Sequence, residues 1–442
     1  MQNHRLTAEK VRDAGVIGAG GGGFPTHVKL SAKADTLIGN GAECEALSYS
    51  DQALMLHRPK DILDGLLLGA EAVSAGRVVL ALKKKFSGQI ALFKKLMSEG
   101  AYSGIELLLL PDVYPVGDEF VLVYEATGQV VPQGGIPIDI GVVVQNVATL
   151  FNIAEAEAGV PVTERLVSVC GEVPRPSVFE VPIGASFRGV LHACGLSSFS
   201  GLSVLDGGVM MGKIVDPDNS YISKTTSAIV VLPEDSPPIL ERTSSLDRVF
   251  RIAKSVCDQC NFCTELCPRY LLGHRLRPHL AMRRMGFELS LRDEVLSEAH
   301  YCSECGICSL YACPLGISPR RVNVLLKSKY KRPRIDKLEF EARPEYTDRR
   351  LPAARLKKRL GVARYEARLP EYAGRLAVES VSISLKQHVG KVALPLVKVG
   401  ASASKGMLIA DIPEGELGAR IHASIDGHVT NITNEAITIG NP

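Results

Sequence analysis

Eight of the eleven cysteines in this 442-residue chain lie between residues 257 and 313, and their spacing constrains the fold more than any other feature. The first motif runs Cys257-x2-Cys260-x2-Cys263-x3-Cys267-Pro268. The second motif runs Cys302-x2-Cys305-x2-Cys308-x4-Cys313-Pro314. Two-residue spacers bring three sulfurs around a single loop, and iron–sulfur clusters need four thiolates. The region 248–330 is therefore predicted to be a ferredoxin-like helical module with two [4Fe–4S] clusters.

The last cysteine of each motif ligates the other cluster in two-cluster bacterial ferredoxins. One cluster is therefore predicted to be bound by Cys257, Cys260, Cys263 and Cys313. The other is predicted to be bound by Cys302, Cys305, Cys308 and Cys267. Zinc is the main alternative because it also uses C-x2-C pairs, but zinc sites do not usually need a third cysteine and a distant Cys-Pro, each given twice. The spacer of four residues before Cys313 departs from the usual three and predicts a bulge in that loop.

Length and composition bound the remaining possibilities. A chain of 442 residues suggests three or four domains. The net charge of +3 gives no argument for a nucleic-acid partner. The longest apolar runs are strand-sized, so we expect no transmembrane helix. The first residues lack an apolar signal core, which predicts a cytoplasmic protein, and a reducing cytosol favours metal or redox roles for the cysteines.

Patterns along the chain predict six segments. Residues 1–160 alternate helical and strand patterns, which indicates an α/β domain with a largely parallel sheet. The strand patterns are Thr36–Gly39, Arg77–Leu82 and Ile105–Leu110, and the helical ones are Thr7–Ala14, Pro59–Ala75 and Gln89–Ser98. The other segments are a small α+β domain at 161–235, a linker at 236–247, the cluster module at 248–330, a basic connecting segment at 331–376 and a β-rich domain at 377–442.

A glycine-rich loop, Gly18–Gly23, formally matches G-x-G-x-x-G. The dinucleotide fingerprint needs a strand before the loop, whereas a helical pattern precedes it here, so a flexible surface loop is the alternative. The continuation Phe24–Lys29 favours phosphate binding. Bare backbone amides can surround a phosphate, and Lys29 supplies a positive charge.

Four segments in order give a resemblance to a known family. Gly15–Leu30 resembles the flavin loop of the NADH-binding flavoprotein subunit of respiratory complex I, and still more that of the C subunit of the Rnf electron-transport complex. Asn40–Glu45, Tyr114–Glu119 and Gln145–Leu150 resemble further segments of that family. The resemblance implies a Rossmann-like domain that binds FMN and takes electrons from NADH.

The resemblance also implies roles for individual residues. The phosphate and ribityl chain of FMN would be bound by Gly18, Ala19, Gly20 and Lys29. The rest of the FMN pocket would be formed by Asn40, Glu43, Tyr114, Gly117, Asp118, Asn146 and Thr149. Positions that meet NADH are Phe24, Glu45 and Glu119, of which the two glutamates are the candidate catalytic residues. Ala42 and Asp118 depart from the family pattern, which has an acidic residue and a glutamate there. Cys44 is expected to be a small buried residue.

The remaining domains extend the resemblance. Residues 161–235 resemble a β-grasp (SLBB-like) domain, expected to pack the flavin domain against the clusters. Residues 377–442 resemble a barrel-sandwich domain of the biotinyl/lipoyl type. Its hairpin-like stretch Ala423–Gly427 has no lysine, so no carrier role is expected. This domain precedes the flavin domain in the Rnf C subunit and comes last here. The order resembles the cobalamin reductases of the propanediol-utilisation microcompartment.

That resemblance implies NADH-dependent reduction of cob(III)alamin through cob(II)alamin to cob(I)alamin. It implies cobalamin as substrate, an adenosyltransferase and a shell protein as partners, and a place inside a bacterial microcompartment. The alternative is an Rnf-type electron-input subunit that moves electrons between NADH and ferredoxin in a membrane complex. A scaffold with a relic cluster is disfavoured because all eight cysteines and the flavin loop are intact.

Two further features have structural interpretations. Residues 320–368 contain 17 Lys plus Arg against 6 Asp plus Glu. A solvated helix that clasps another domain is favoured there by Leu356 and Leu360 at i,i+4, and a docking face for an acidic redox partner is the alternative. His274, His279 and His300 near the clusters are interpreted as surface histidines rather than cobalt ligands.

Overall fold

The computed structural model describes residues 2–98, 100–287, 293–333 and 340–440. The N-terminal domain is built on a four-stranded sheet of order β3-β2-β1-β5 in which every pairing is parallel. Its strands are β1 (Thr36–Gly41), β2 (Arg77–Lys83), β3 (Ile105–Leu110), the short β4 (Val113–Tyr114) outside this sheet, and β5 (Val142–Asn146). Its helices are α1 (Gln2–Asp13), α2 (Thr26–Leu30), α3 (Ser50–His57), α4 (Pro59–Val73), α5 (Ser87–Met97), α6 (Glu119–Thr127) and α7 (Val147–Glu157). The predicted α/β domain with a parallel sheet is confirmed.

Strand sequence explains this arrangement. β2 reads as a nearly continuous apolar run and its last five residues are buried, as expected for a parallel strand covered on both faces. The first strand pairs with β2 on one side and β5 on the other, so the strand order reverses at β1. Asn40 and Asn146 are register partners at the carboxyl ends of β1 and β5. Open α/β sheets bind ligands at such a switch point.

The second domain has a mixed sheet. Its strands are β6 (Glu164–Gly171), β7 (Ser177–Pro182), β8 (Leu202–Asp206), β9 (Lys213–Val215) and β10 (Ala228–Pro233). They lie in the order β7-β6-β10-β8-β9. One helix, α8 (Phe187–Ala193), buries Phe187, Val190 and Leu191 in the domain core, and Ser186 caps its first turn. The predicted small α+β domain is present.

The cysteine region is helical. Its helices are α9 (Pro237–Thr243), α10 (Leu246–Val256), α11 (Phe262–Glu265), α12 (Pro268–Leu271), α13 (Pro278–Phe287), α14 (Asp293–Ser297) and α15 (Pro319–Lys329). The prediction of a linker at 236–247 needs correction, because α9 lies within it. Ile239 is buried and the neighbouring Glu241 forms an ion pair with Arg320, so the segment is packed against the cysteine region.

The basic segment is more than a connection. It contains β11 (Leu351–Pro352), α16 (Ala353–Arg359) and β12 (Glu371–Arg375). The first strand pairs with β4 of the N-terminal domain, and the last lies parallel to β7 at the edge of the second domain's sheet. Leu356 and Leu360 are buried, as a helix clasping another domain requires. Residues 334–339 of this segment lie outside the described residues.

The C-terminal domain is all β. Its strands are β13 (Ser380–Ser384), β14 (Leu394–Pro395), β15 (Ser402–Ala403), β16 (Leu408–Asp411), β17 (Ile421–His422), β18 (Gly427–Ile432) and β19 (Ala436–Gly440). They form a four-stranded sheet, β13-β19-β18-β15, and a three-stranded sheet, β14-β16-β17, so no closed barrel is made. The stretch Ala423–Gly427 is packed rather than a free tip, because Ser424 is buried and donates to the carbonyl of Ile183. No helix of the described chain is long and apolar enough to cross a membrane.

Candidate flavin cavity and cluster sites

A cavity of about 350 Å³ lies at the carboxyl ends of β1 and β5. It is formed by the glycine-rich loop, the end of β1, the turn between β4 and α6, and the start of α7. Every residue for which the sequence predicts contact with FMN or NADH lines it: Gly18, Ala19, Gly20, Phe24, Lys29, Asn40, Glu43, Glu45, Tyr114, Gly117, Asp118, Glu119, Asn146 and Thr149. Segments that are distant in sequence therefore meet at one site.

The glycine-rich loop leaves three consecutive amides available. Gly18 N–H donates to the carbonyl of Phe24 at 2.8 Å, and Ala19 N–H donates to Thr149 Oγ1 at 2.9 Å. In the described part of the chain, the N–H groups from Gly20 to Gly22 meet no acceptor. A Cβ atom at Gly20 would lie 3.3 Å from Asn146 Cβ, so a larger residue would crowd the cavity. This loop fits a phosphate group, which successive free amides bind well.

Lys29 and Glu119 are joined, although the sequence assigns them to different partners. Lys29 Nζ lies 2.9 Å from Glu119 Oε1, and about a third of each side chain is exposed. The same ammonium also donates to the carbonyl of Val144 at 3.3 Å. The sequence predicts that Lys29 binds the FMN phosphate and that Glu119 lies beside the nicotinamide. In this structure the two side chains instead bind each other at the cavity.

Asp118 lines the cavity, but its carboxylate oxygens accept hydrogen bonds from other protein groups. Its carboxylate caps α6 by accepting from Phe120 N–H at 3.0 Å, and it forms two bonds with Arg269, at 2.6 and 3.1 Å. The Arg269 guanidinium also lies 3.8 Å from the centre of the Phe120 ring. Because Arg269 follows Cys267 by two residues, this aspartate ties the cavity wall to a cysteine loop.

Two carboxyl groups at the cavity have raised pKa values, of which Asp51 is buried and Glu43 is half-buried. Desolvation and, to a smaller extent, nearby Asp51 raise the pKa of Glu43 to about 8, against the effect of a hydrogen bond from Ser48 at 2.8 Å. Burial also raises the pKa of Asp51, against a hydrogen bond from Asn146 Nδ2 at 2.7 Å. The sequence analysis did not find Asp51, which lies on α3 without any motif around it.

Glu45 is anchored by the second domain. Its two oxygens accept from the backbone N–H groups of Met210 at 2.8 Å and Met211 at 3.0 Å, and burial raises its pKa to about 7. Met211 itself lines the cavity. The loop between β8 and β9 therefore closes one wall, so the second domain contributes to the cavity as well as packing beside it.

Gln145 and Cys44 complete the wall. Gln145 is 2% exposed and lines the cavity, and its Nε2 has no hydrogen-bond partner in the described residues. A buried donor without a partner fits a cavity that a polar ligand fills. Cys44 is half-buried rather than buried as expected; its Sγ accepts from Gly117 N–H at 3.2 Å, and desolvation raises its pKa to about 12.

The eight motif cysteines surround two further small cavities. One, of about 30 Å³, is lined by Cys257, Cys260, Cys263 and Cys313. The other, of about 10 Å³, is lined by Cys267, Cys302, Cys305 and Cys308. None is in a disulfide. Across the described ranges, no three His, Cys, Asp or Glu side chains are arranged to hold a single metal ion. Each small cavity is therefore lined by the four cysteines that the spacing assigns to one iron–sulfur cluster.

The long spacer before Cys313 has a visible structure. Residues Cys308–Ala312 form a π-helical turn, which takes one more residue per hydrogen-bonded turn than an α-helix. This turn absorbs the extra residue of the x4 spacing. Cys313 consequently lies on the same cavity as Cys257, and the predicted bulge takes the form of a π-turn.

The two cysteine sets differ in their distance from the flavin cavity. Cys305 lines both its own small cavity and the flavin cavity, and Tyr114 Oη donates to its carbonyl at 2.7 Å. In the other set, Cys260 is exposed. The sequence carries no signal for this proximity, because Tyr114 and Cys305 are 191 residues apart.

The interpretation of three histidines as surface residues is wrong for His274. His274 is 1% exposed and its Nε2 lies 2.9 Å from the carbonyl of Val131. His279 and His300 are half-buried and hydrogen-bonded to Thr264 Oγ1 and to the carbonyl of Tyr330. These contacts give all three a role in packing around the cysteine region.

Family models match three parts of the chain. Residues 11–155 match the Nuo51 FMN-binding domain, residues 256–318 match a 4Fe-4S dicluster domain, and residues 375–441 match the RnfC barrel sandwich hybrid domain. These matches cover the flavin cavity's N-terminal domain, the cysteine region and the C-terminal β domain.

Known proteins match over different lengths. The C subunit of the Na⁺-translocating ferredoxin:NAD⁺ oxidoreductase complex of Acetobacterium woodii is 33% identical over 59% of this chain and 57% of its own. Among solved structures, an NAD⁺-reducing [NiFe]-hydrogenase covers 75% of this chain and 63% of its own, at 20% identity and a TM-score of 0.48. Cobalamin reductase PduS of Salmonella typhimurium is 41% identical over 98% of this chain and 95% of its own. The chain belongs to the PduS cobalamin reductase family.

Proposed function

We propose that this protein is an NADH-dependent oxidoreductase that reduces cobalamin from cob(III)alamin through cob(II)alamin to cob(I)alamin. One observation carries the proposal: Cys305 lines both the flavin cavity and a four-cysteine cavity. A flavin and an iron–sulfur cluster bound at these two sites would be neighbours. The match to a cobalamin reductase along nearly the whole chain supports cobalamin as the acceptor.

The cofactors we propose are FMN and two [4Fe–4S] clusters, with NADH as donor. When bound, FMN accepts an electron pair as hydride and releases single electrons, which iron–sulfur clusters carry. The chain's own residues supply the binding. The free amides of Gly20 to Gly22 would hold the FMN phosphate, and Gln145 offers an unpaired donor. Lys29 would add its charge to the phosphate site, and Phe24, Glu45 and Glu119 on the same cavity would meet NADH.

We infer an order for the two cysteine sets. The set with Cys305 lies against the flavin cavity and would bind the first cluster. The set with the exposed Cys260 would bind the second cluster, where electrons leave the protein. The arrangement suits an acceptor that takes electrons one at a time from outside, as cobalt does.

The experiment measures both candidate acceptors on one preparation. Protein purified without oxygen is given NADH and either hydroxocobalamin, with cob(I)alamin followed by its absorbance, or ferredoxin. We expect rapid cobalamin reduction and slow ferredoxin reduction. Rapid ferredoxin reduction without cobalamin reduction would replace this proposal with the Rnf-type alternative. Analysis of the same sample should find about eight iron and eight sulfide per chain, and stoichiometric zinc would contradict the cluster assignment.

The proposed partners follow from the product. Cob(I)alamin is a strong reductant, so its direct passage to an adenosyltransferase would protect it. We propose this partner, and a shell protein of a bacterial microcompartment in which both enzymes work. Size-exclusion chromatography of the mixed reductase and adenosyltransferase should show a shared peak. Separate peaks, together with equal adenosylcobalamin yields when a membrane keeps the enzymes apart, would contradict direct passage.

A further inference from the structure

Three carbonyl groups of residues 15–23, the segment that contains the glycine-rich loop, accept hydrogen bonds from residues outside the N-terminal domain. Lys224 Nζ donates to Gly15 O at 2.7 Å, and Arg165 Nη2 donates to Ala19 O at 3.1 Å. Val389 N–H donates to Gly23 O at 2.9 Å. Arg165 and Lys224 belong to the second domain, and Val389 belongs to the C-terminal β domain. The start, the middle and the end of this segment are thus each fixed from another domain.

Lys224 is the unusual member of this group. Its side chain is buried, and its ammonium donates to the carbonyl of Arg420 at 2.6 Å as well as to that of Gly15. Among the described residues it forms no ion pair, and burial lowers its pKa to about 7. A buried ammonium without a carboxylate is costly. Burial of Lys224 is therefore not explained by a gain in stability. It is better explained by the hydrogen bonds with which its ammonium fixes the carbonyls of Gly15 and Arg420.

The junction around Lys224 joins three domains at one point. Its backbone N–H donates to Gln387 Oε1 at 2.9 Å, so both ends of the residue contact the C-terminal β domain. Gly15 has a φ of +67°, and a Cβ atom there would lie 2.3 Å from the carbonyl oxygen of Arg420. Gly15, Lys224 and Arg420 are therefore packed so closely that even a methyl group at residue 15 would clash.

We propose that Lys224 is a positioning residue for FMN: it fixes the Gly15 end of the phosphate-binding loop against Arg420, so that the C-terminal β domain serves flavin binding. Glycine-rich chain loses much conformational freedom when it is ordered. Loop carbonyls that are already anchored reduce this cost at the moment of binding, which raises affinity. The inference rests on the proposed function, because it needs FMN in the cavity.

The test compares two lysines that both bridge the second and C-terminal domains. Lys224→Met keeps an unbranched side chain and removes the donor. Lys405→Met is the control, because Lys405 bridges Glu164 at 2.8 Å, is partly exposed and does not contact the loop. We expect FMN to dissociate about tenfold more readily from Lys224→Met, measured by the fluorescence of released flavin. The control should stay within about twofold of the unmodified protein, and all three proteins should keep the same iron content.

Hydrogen–deuterium exchange gives a second measurement on flavin-free protein. Amides of residues 15–24 should exchange faster in Lys224→Met than in the control, while amides of β1 and β5 stay protected. If Lys224→Met does not fold, Gly15→Ala is the second variant. Its added Cβ atom would clash with the carbonyl oxygen of Arg420 and displace the same end of the segment, so it should also weaken FMN binding.

Two results would overturn the inference, and they differ. A folded Lys224→Met protein that binds FMN as tightly as the unmodified protein, with unchanged exchange at residues 15–24, overturns the inference alone. An unmodified protein that binds no FMN overturns the proposed function and this inference with it.

Discussion

At the scale of single residues, the flavin cavity is notable for carboxyl groups whose protonation is set by burial. Desolvation raises the pKa of Asp51, and desolvation together with the nearby Asp51 raises the pKa of Glu43 to about 8. A carboxyl with a raised pKa in the folded state binds its proton more tightly there than in the unfolded chain. Its contribution to stability is present at low pH and is lost as pH rises.

We predict that Glu43→Gln flattens the pH dependence of stability in flavin-free protein. The contribution from Glu43 is complete below its unfolded pKa, near 4.5, and is lost as pH rises towards about 8. Between pH 5 and 8 the variant should therefore lose less unfolding free energy than the unmodified protein, by roughly 2 kcal/mol. Urea titrations at several pH values measure this. Parallel curves for the two proteins would show that Glu43 is not protonated in the fold.

Glu119 allows a second prediction at this scale. Glu119→Gln should slow the NADH-driven loss of flavin absorbance by about tenfold, because it changes the group that we propose to lie beside the nicotinamide. It also releases Lys29 from its ion pair. FMN and iron contents should stay normal. Glu106→Gln is the matched control, since Glu106 forms a surface pair with Arg77 away from the cavity. Equal rates in rapid mixing for both variants would remove Glu119 from the NADH site.

At the scale of elements, a well-buried ion pair is among the contacts that join the N-terminal domain to the cysteine region. Arg269, just after Cys267 at the start of α12, binds Asp118 at the start of α6, and the two side chains are 10% and 12% exposed. Asp118 would cap α6 even without Arg269, so the cap alone does not account for the ion pair. The pair sets the position of the Cys267 loop relative to the cavity.

We predict that Arg269→Met lowers the free energy of unfolding by about 3 kcal/mol, because it leaves Asp118 buried without its partner. Arg349→Met is the control: Arg349 pairs with Glu265 at 3.1 Å, but both side chains are about 40% exposed. Its loss should cost less than about 1 kcal/mol. Denaturant unfolding of the cofactor-loaded proteins compares the two, and similar costs would contradict the role given to Arg269.

Local sequence patterns predicted the secondary-structure elements better than the tertiary contacts between them. β2 and β3 could be predicted because apolar strands bounded by turns are local patterns, and the cysteine sets because spacing is local too. The pairing of Lys29 with Glu119, the anchoring of Glu45 by Met210 and the neighbourhood of Cys305 could not. Each joins residues that are far apart in sequence, and no periodicity encodes such a contact.

At the scale of the whole molecule, the two cysteine sets and the flavin cavity form a series with an inner and an outer end. The inner set contains Cys305, which lines the cavity, and the outer set contains Cys260, which is exposed. The clusters proposed for these sets are called the inner and the outer cluster. Variants that damage one set should therefore differ in what NADH can still reduce.

We predict opposite effects from Cys263→Ala and Cys302→Ala. In Cys263→Ala, NADH should still bleach the flavin and reduce the inner cluster, while steady cobalamin reduction falls. In Cys302→Ala, the outer cluster should be reducible by dithionite but should react slowly with NADH. Freeze-quenched electron paramagnetic resonance distinguishes the clusters. Rapid reduction of the outer cluster by NADH in Cys302→Ala, or full cobalamin reduction in Cys263→Ala, would contradict the series.

The edge strand β12 has a consequence for biosynthesis. It covers β7, which would otherwise be the open edge of the second domain's sheet, yet β7 ends at residue 182 and β12 begins at residue 371. Ribosomes add about 5–20 residues per second, so roughly 10–40 s pass before this edge can be covered. During that interval the nascent chain exposes unpaired backbone groups that can pair with other chains. We therefore expect chaperones that bind the nascent chain during this interval to raise its yield in a cell.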